Sequence, residues 1–299
     1  MILDEDAVRD LLRMEDLIPA MAGALADLSS GKVVQPMRVM VPVAEHQGFL
    51  GIMPAYGGAL GAKLVTFYPN NQGVHTHHAM IVLFRPETGE PLATMDGRLI
   101  TEMRTAAVSA VATKFLARPE ASVLAILGSG VQARSHLEAL RLVRGIREVR
   151  VWSPRNARAF AEQFKVRAAA SAEEAVRGAD LVVVATTSTT PVLVGKWLSP
   201  GTHVNAVGAP RPTWRELDDD TLRRARIYVE SREAATRESG DVIAAGQIVA
   251  EIGEVVVGAQ PGRRSEEEIT LFKSVGVAVE DVVTADLVYR KAMQGRRHA

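Results

Sequence analysis

The stretch Leu124-Ala125-Ile126-Leu127-Gly128-Ser129-Gly130-Val131-Gln132-Ala133 restricts the folds open to this chain more than any other. An apolar run ends in Gly-x-Gly-x-x-Ala, and a helical pattern begins directly behind it. Gly128 permits a sharp turn out of a strand, Gly130 lets the backbone approach a pyrophosphate, and the small Ala133 lets the helix pack tightly on the strand. The first N–H groups of that helix present unpaired donors and a positive dipole end to phosphates. Taken alone the motif is weak, and a ligand-free tight turn has the same letters. Its place between a strand and a helix, with a second strand–helix unit behind it, points to a dinucleotide cofactor held by Gly128, Ser129, Gly130, Val131, Gln132 and Ala133.

The alternation of strand and helix patterns runs on through the chain. Strands are expected at 122–127, 148–152, 180–185, 202–207 and 226–229, and helices at 131–143, 155–164 and near 172–177. That is the pattern of a doubly wound parallel sheet of the Rossmann type. Residues 270–295 read as a final helical stretch behind a charged loop at 263–268. The first third of the chain differs. Residues 4–29 read as one helix capped by Asp4 or Asp6, followed by strands at 39–43, 49–53, 61–67, 80–84 and 92–96. The last two pair across the turn Pro86-Glu87-Thr88-Gly89-Glu90-Pro91. An Ala-rich helix over 105–116 then stops at Arg118-Pro119. The fold class expected is α/β: the parallel sheet plus a mixed α+β domain.

Composition excludes several kinds of chemistry. There is no cysteine, which removes disulfides, thiol catalysis and Cys-ligated zinc together. Lys+Arg and Asp+Glu both number 35, so no global charge draws the chain to nucleic acid or membrane. The N-terminus, Met1-Ile2-Leu3-Asp4-Glu5-Asp6, is acidic and lacks the apolar core of a signal peptide, and a cytoplasmic protein is expected.

The cofactor's identity turns on the end of the second strand of the parallel sheet. An acidic residue there would bind the ribose hydroxyls of NAD. Counting about 20 positions from the glycines lands on Glu148, which opens that strand. Its far end reads Ser153-Pro154-Arg155-Asn156. A hydroxyl, an arginine and an amide suit a 2′-phosphate, so Ser153, Arg155 and Asn156 favour NADP(H) over NAD(H); the alternative is that Arg155 is a solvated surface charge. Among other polar residues, Arg38 and Lys63 lie in strand-like segments and Arg104 precedes the Ala-rich helix. Buried cations need partners, and each of the three taken alone reads as a structural ion pair or an exposed charge. His75, His77 and His78 lack acids at ligand spacing, so no metal is expected. Asp96, Glu238 and Asp241 are available acids, although most such residues cap helices or face solvent.

Several segments together carry a resemblance. Met95-Asp96-Gly97, Ile100-Thr101, Arg104-Thr105-Ala106-Ala107 and Gly128-x-Gly130-x-Gln132-Ala133-x-x-His136 are similar to the ornithine cyclodeaminase/mu-crystallin family. So are Asn205-Ala206-Val207-Gly208, Glu238-Ser239-Gly240-Asp241-Val242 and the run from Phe272-Lys273-Ser274 to Glu280-Asp281. The likeness covers nearly the whole chain in order. Its nearest branch is that of the NADPH-dependent ketimine reductases, through Gln35-Pro36-Met37-Arg38, Met53-Pro54-Ala55-Tyr56, Lys63-Leu64-Val65-Thr66-Phe67-Tyr68 and the run Arg211 to Asp219.

The resemblance implies a substrate-binding and dimerisation domain over 1–117, completed by a C-terminal helix over 273–299, and an NAD(P)-binding domain over 118–272. It implies a homodimer. Arg38, Lys63 and Arg104 match the positions that hold a substrate carboxylate, with Lys63 and Arg104 in catalytic roles, and Pro210 and Glu238 fall among the substrate positions. Thr76 and His77 match a pair near the cofactor, while Val207 and Ser274 match nicotinamide-side positions.

One departure narrows the chemistry. Cyclodeaminases and the alanine dehydrogenases of the family carry an aspartate where this chain has Pro210, and proline can be neither acid nor base. A preformed imine needs less help. The activity implied is NADPH-dependent reduction of a cyclic ketimine carboxylate, such as piperideine-2-carboxylate or pyrroline-2-carboxylate, with Lys63 holding the carboxylate or supplying a proton. The alternatives are ornithine cyclodeaminase or L-alanine dehydrogenase activity, or an NADPH-dependent binding protein for a thyroid-hormone-like ligand.

Overall fold

The computed structural model describes residues 1–297. The chain divides into two units, one made of residues 1–104 with the C-terminal segment from Val277, the other of residues 105–276. In chain order the first unit contributes β1 (Ile2–Leu3), α1 (Glu5–Leu11), α2 (Met14–Ser29), β2 (Val39–Val43), β3 (Gly48–Tyr56), β4 (Leu60–Phe67), β5 (His77–Phe84) and β6 (Pro91–Asp96). The helix α3 (Arg98–Leu116) runs from the first unit into the second. There follow β7 (Val123–Leu127), α4 (Val131–Val143), β8 (Glu148–Trp152), α5 (Ala157–Phe164), β9 (Arg167–Ala168), α6 (Ala172–Val176), β10 (Leu181–Val184) and β11 (His203–Ala206). The second unit ends with α7 (Asp219–Arg224), β12 (Ala225–Val229), α8 (Arg232–Glu238), α9 (Gly240–Ala245), β13 (Ala250–Glu251), α10 (Ile252–Val256) and β14 (Ile269–Lys273), and α11 (Ala278–Arg297) belongs to the first unit. Among the described residues no helix is long and apolar enough to cross a membrane.

The first unit is built on a six-stranded sheet in the order β1-β6-β5-β4-β3-β2. It is antiparallel throughout except where β1 lies parallel to β6. Alternation along β4 sends Gly61 and Lys63 to one face and Ala62 and Leu64 to the other. α11 lies on the Gly61 face, where an added Cβ would come within 3.4 Å of Val282. The 4–29 segment is two helices rather than one. The Asp4 side chain accepts from the Ala7 N–H to cap α1, and Leu12 then leaves the helical conformation with ψ 121° and buries its side chain.

The second unit is an eight-stranded sheet in the order β13-β12-β14-β11-β10-β7-β8-β9. All its pairs are parallel. Outward from β7, chain order runs β8, β9 on one side and β10, β11 on the other, so the topological switch point lies between β7 and β10. The strands β10 and β11 are buried at every residue, as parallel strands covered on both faces must be.

One sequence expectation changes here. The 270–295 stretch begins as a strand, because Ile269–Lys273 is inserted between β11 and β12 with every residue buried. A short apolar run has no periodicity that separates a buried strand from a buried helix. The helix therefore starts at Ala278 rather than 273, and 298–299 fall outside the described residues. The two compact units divide at 104/105 and 276/277. Most of α3 belongs to the second unit because its polar residues bond there. The His136 Nε2 lies 2.9 Å from Ser109 Oγ, Asn205 Nδ2 donates to Thr113 Oγ1 at 2.9 Å, and Thr270 Oγ1 donates to the Leu116 carbonyl at 2.9 Å.

Candidate active site

The first unit concentrates charge around Lys63. This residue sits mid-strand in β4 on the face covered by α11 and is only 2% exposed; Arg104, in the second turn of α3, is 5% exposed. Buried cations in such positions require anions, and α11 supplies them from its first turn. Lys63 Nζ lies 2.6 Å from Asp281 Oδ2. Arg104 Nε donates to Asp281 Oδ1 at 3.0 Å, and its Nη1 donates to Glu280 Oε2 at 2.7 Å. One aspartate thus bridges both cations, with its two oxygens divided between them. Burial pushes the Lys63 pKa down, Asp281 opposes that, and the fields of Arg104 and Arg38 add to the fall, leaving it at about 8. Burial also works against the Asp281 carboxylate, but Arg104 and Lys63 more than offset it and hold its pKa below the usual range. Arg38, half-buried just before β2, is therefore electrically part of the cluster.

Thr76 and His77 lie at the start of β5. The Thr76 carbonyl accepts from the Tyr68 N–H at 2.8 Å, and the ring of the exposed His77 has its centroid 4.6 Å from that of Phe67. The protein crowding His77, with Lys63 and His78, lowers its pKa. Asp96 turns out to be a cap, accepting from the Arg98 N–H at 2.8 Å at the start of α3.

In the second unit the glycine turn separates into two kinds of glycine. Gly128 has φ +121°, and a Cβ there would collide with the Ala185 carbonyl, so the fold itself demands glycine. Gly130 has an ordinary extended conformation, φ −86° and ψ −167°, and among the described residues a Cβ would meet no atom within 4 Å beyond its own chain neighbours. The fold does not need a glycine there, but a closely approaching ligand would. Gly130 is also the N-cap of α4 and supplies no side-chain cap. The Gln132 Oε1, buried with no hydrogen-bond partner among the described residues, belongs to the second residue of α4. Val131 is exposed and Ala133 buried. These features fit a dinucleotide pyrophosphate at the α4 N-terminus. Ser129 Oγ lies 2.9 Å from Ser153 Oγ, which in turn accepts from the Asn156 N–H at 3.2 Å. The glycine turn and the end of β8 are thereby joined, with Arg155 and Asn156 exposed beside them.

The remaining positions surround the carboxyl ends of β10, β11 and β14. Val207 is half-buried, its N–H donating to the Val184 carbonyl at 2.9 Å, and Pro210 is exposed. Ser274 is buried, and its hydroxyl donates to Glu230. Glu238 is half-buried at the end of α8. Beneath Gly208 lies a group the sequence did not single out as a unit, Lys273, Glu216 and Asp241, all fully buried. Lys273 Nζ donates to the Gly208 carbonyl and lies 3.2 Å from Asp241 Oδ2. Burial raises the Glu216 pKa to about 7, against the Lys273 charge and bonds from Thr186. The available signal was a lysine closing the otherwise uncharged run Ile269-Thr270-Leu271-Phe272.

A family model described as the ornithine cyclodeaminase/mu-crystallin family matches residues 1–296. The chain belongs to this family. Among its relatives in the ornithine cyclodeaminase/mu-crystallin family, ketimine reductase mu-crystallin of Rattus norvegicus is 52% identical over 98% of each chain. The Delta(1)-pyrroline-2-carboxylate reductase of Thermococcus litoralis, solved with NADH and L-proline, superposes with a TM-score of 0.95 at 40% identity, over 99% of this chain and 98% of that one. An archaeal alanine dehydrogenase dimer with bound NAD gives a TM-score of 0.94 at 38% identity, over 99% of this chain and 97% of that one.

Proposed function

We propose that this chain reduces cyclic ketimine carboxylates, such as piperideine-2-carboxylate or pyrroline-2-carboxylate, with NADPH. It is an NAD(P)H-dependent oxidoreductase acting on C=N bonds. The observation that carries the substrate assignment is the buried pair Lys63 and Arg104, bridged by Asp281, with Glu280 also bonded to Arg104, beside the field of Arg38. An arginine fork binds a carboxylate in two parallel hydrogen bonds, so Arg104 and Arg38 hold and orient the substrate's acid group. When bound, the reduced nicotinamide supplies hydride to the imine carbon. Gly128 to Ala133 hold its pyrophosphate; Ser153, Arg155 and Asn156, with no carboxylate among them, favour a 2′-phosphate.

Lys63 keeps the imine nitrogen protonated. Its ammonium is present below a pKa of about 8 and is lost as pH rises through that value. Pro210 leaves the loop after β11 without the acid that water-adding members of the family use. The assay compares NADPH and NADH oxidation with both imines against NAD⁺ and NADP⁺ reduction with L-ornithine and L-alanine. Fast turnover is expected only in the reductive direction, faster with NADPH, with the rate falling on the alkaline side of about pH 8. Oxidation of ornithine or alanine would show that another group replaces the missing aspartate.

The same reading includes a homodimer formed through the first unit's sheet. Directly opposed residues share a face, and on the face away from α11 the register aligns Val39, Ile52, Leu64 and Met80 across four strands. Val39 is 56% and Met80 48% exposed. Patches of this kind mark association surfaces, and a second copy is the partner this reading assigns. Sedimentation should give twice the chain mass, and Met80→Lys with Ile52→Glu should give monomers. A monomeric parent protein would end this part of the reading.

A further inference from the structure

The buried charges under the Val207–Pro210 loop have no part in the chemistry described so far. Every one of them touches a loop at the carboxyl edge of the parallel sheet. Lys273 is the last residue of β14 and stands in register with Ala206, the last of β11. Its ammonium reaches past that strand end to the Gly208 carbonyl. Asp241 balances it from α9, and its Oδ1 accepts from the Glu216 and Leu217 N–H groups at 3.1 Å each. Glu216 reaches the loop after β10, accepting from the Thr186 N–H at 2.8 Å and hydroxyl at 2.6 Å. It also lies so close under Gly208 that a Cβ there would overlap its Oε1. The next residue, Ala209, has φ +50°, a left-handed conformation that residues with side chains seldom adopt unless their surroundings impose it.

These loops follow β10 and β11, beside the switch point where a doubly wound sheet receives its dinucleotide. Well-packed apolar residues can fill a buried space at least as stably as ions do, so a role in stability alone does not explain three buried ionisable groups gathered beneath Gly208 and tied to the loops after β10 and β11. We propose that Lys273, Asp241 and Glu216 form a buried ionic clamp that positions the Val207–Pro210 loop as the rest for the nicotinamide half of the cofactor. The three residues are positioning groups, and they touch neither substrate nor hydride. This inference rests on the reading that the second unit holds a nicotinamide cofactor.

The test uses the full chain with Lys273→Met and Glu216→Gln. Lys273→Met removes the donor to Gly208; Glu216→Gln keeps size and an acceptor oxygen but removes the charge. For each variant the measurements are affinity for ADP-ribose, which lacks the nicotinamide, the emission of bound NADPH, kcat and KM for the imine, and the stereospecificity of transfer from 4-deuterated NADPH. ADP-ribose binding should be unchanged, while the emission of bound NADPH shifts toward that of free cofactor. A displacement of about 1 Å in a reacting group costs roughly 100-fold, so kcat should fall by that order in Lys273→Met, with KM nearly constant and transfer less stereospecific. Glu216→Gln should show the same signs at smaller size, and it decides the matter if Lys273→Met does not fold.

Variants that melt earlier but keep the parent's emission, kcat and stereospecificity per bound cofactor would overturn the clamp. A parent protein that binds NADPH but reduces no imine would overturn the proposed function alone, since the emission of bound NADPH still decides the clamp. A parent that binds neither ADP-ribose nor NADPH would overturn both.

Discussion

An Arg104→Ala variant is expected to lose imine reduction almost completely while binding NADPH as the parent does. Its guanidinium spans Asp281 and Glu280 in a site from which water is nearly excluded. Removing one partner from a buried ionic group costs about 3–5 kcal/mol, because the remaining charges stay desolvated. That cost falls on folding stability, whereas losing a buried charged hydrogen-bond partner of the substrate costs about 2–5 kcal/mol of binding, roughly 30- to 5,000-fold in kcat/KM. Two effects add. Asp281 is deprived of the stronger of the two charges that hold its pKa down, so it takes up a proton more readily and supports Lys63 less well. The substrate's own carboxylate is also left without its planar two-point grip. Arg104→Lys separates these effects, since it keeps the charge and removes the fork, and it should recover only part of the rate. Steady-state kinetics beside an NADPH titration provide the check. Equal falls in kcat/KM and in NADPH affinity would remove Arg104 from the role assigned to it.

The second large effect lies in the glycine turn, where alanine at two positions two residues apart should give opposite outcomes. Gly128→Ala places a Cβ against the Ala185 carbonyl in a conformation that L side chains rarely adopt, and neither obstacle is a flexible side-chain end. Strain of this kind costs about 1–3 kcal/mol for the backbone angle alone, with the overlap added, so the apo-protein should melt well below the parent or fail to fold. Gly130→Ala meets no atom within 4 Å among the described residues beyond its chain neighbours and needs no unusual φ. It should leave the apo melting temperature nearly unchanged, the ~0.4–1 kcal/mol typical gain of a compatible Gly→Ala change being offset by the poorer fit of alanine at the N-cap of α4. NADPH affinity in the same variant should fall at least tenfold, because the backbone could no longer approach the pyrophosphate. Calorimetric melts and cofactor titration of the two variants measure both effects. Undiminished NADPH binding by Gly130→Ala would place the cofactor elsewhere.

The contrast between these two glycines shows how far the sequence could be read. The motif marked both positions, and the strand–helix alternation around them was legible because periodicity and turn chemistry are properties of adjacent residues. The order of β7, α4, β8 and β10 followed from that alternation. The motif assigned Gly128 to the turn and Gly130 to the ligand, but it could not supply the obstacle that makes glycine obligatory at 128, since that is the carbonyl of Ala185, in the loop behind a strand that is distant in sequence and adjacent in space. The position of β14 was hidden for a related reason. The short segment Ile269-Thr270-Leu271-Phe272-Lys273 becomes a central strand only when β11 and β12 are present on either side.

Local sequence determined, by itself, the parallel-sheet architecture, the glycine turn with the carboxylate-free Ser153-Pro154-Arg155-Asn156 segment, and the absence of thiol chemistry. Each of these rests on a residue's own covalent chemistry or on its immediate neighbours. Only the tertiary structure decided what makes the buried cations stable. Arg104 and Asp281 are 177 positions apart, and a charge's pKa, orientation and cost of burial are set by whichever groups the fold brings within a few ångströms of it. The same holds for Lys273 beneath Gly208. Sequence showed that such cations must have partners, and the topology determined which ones.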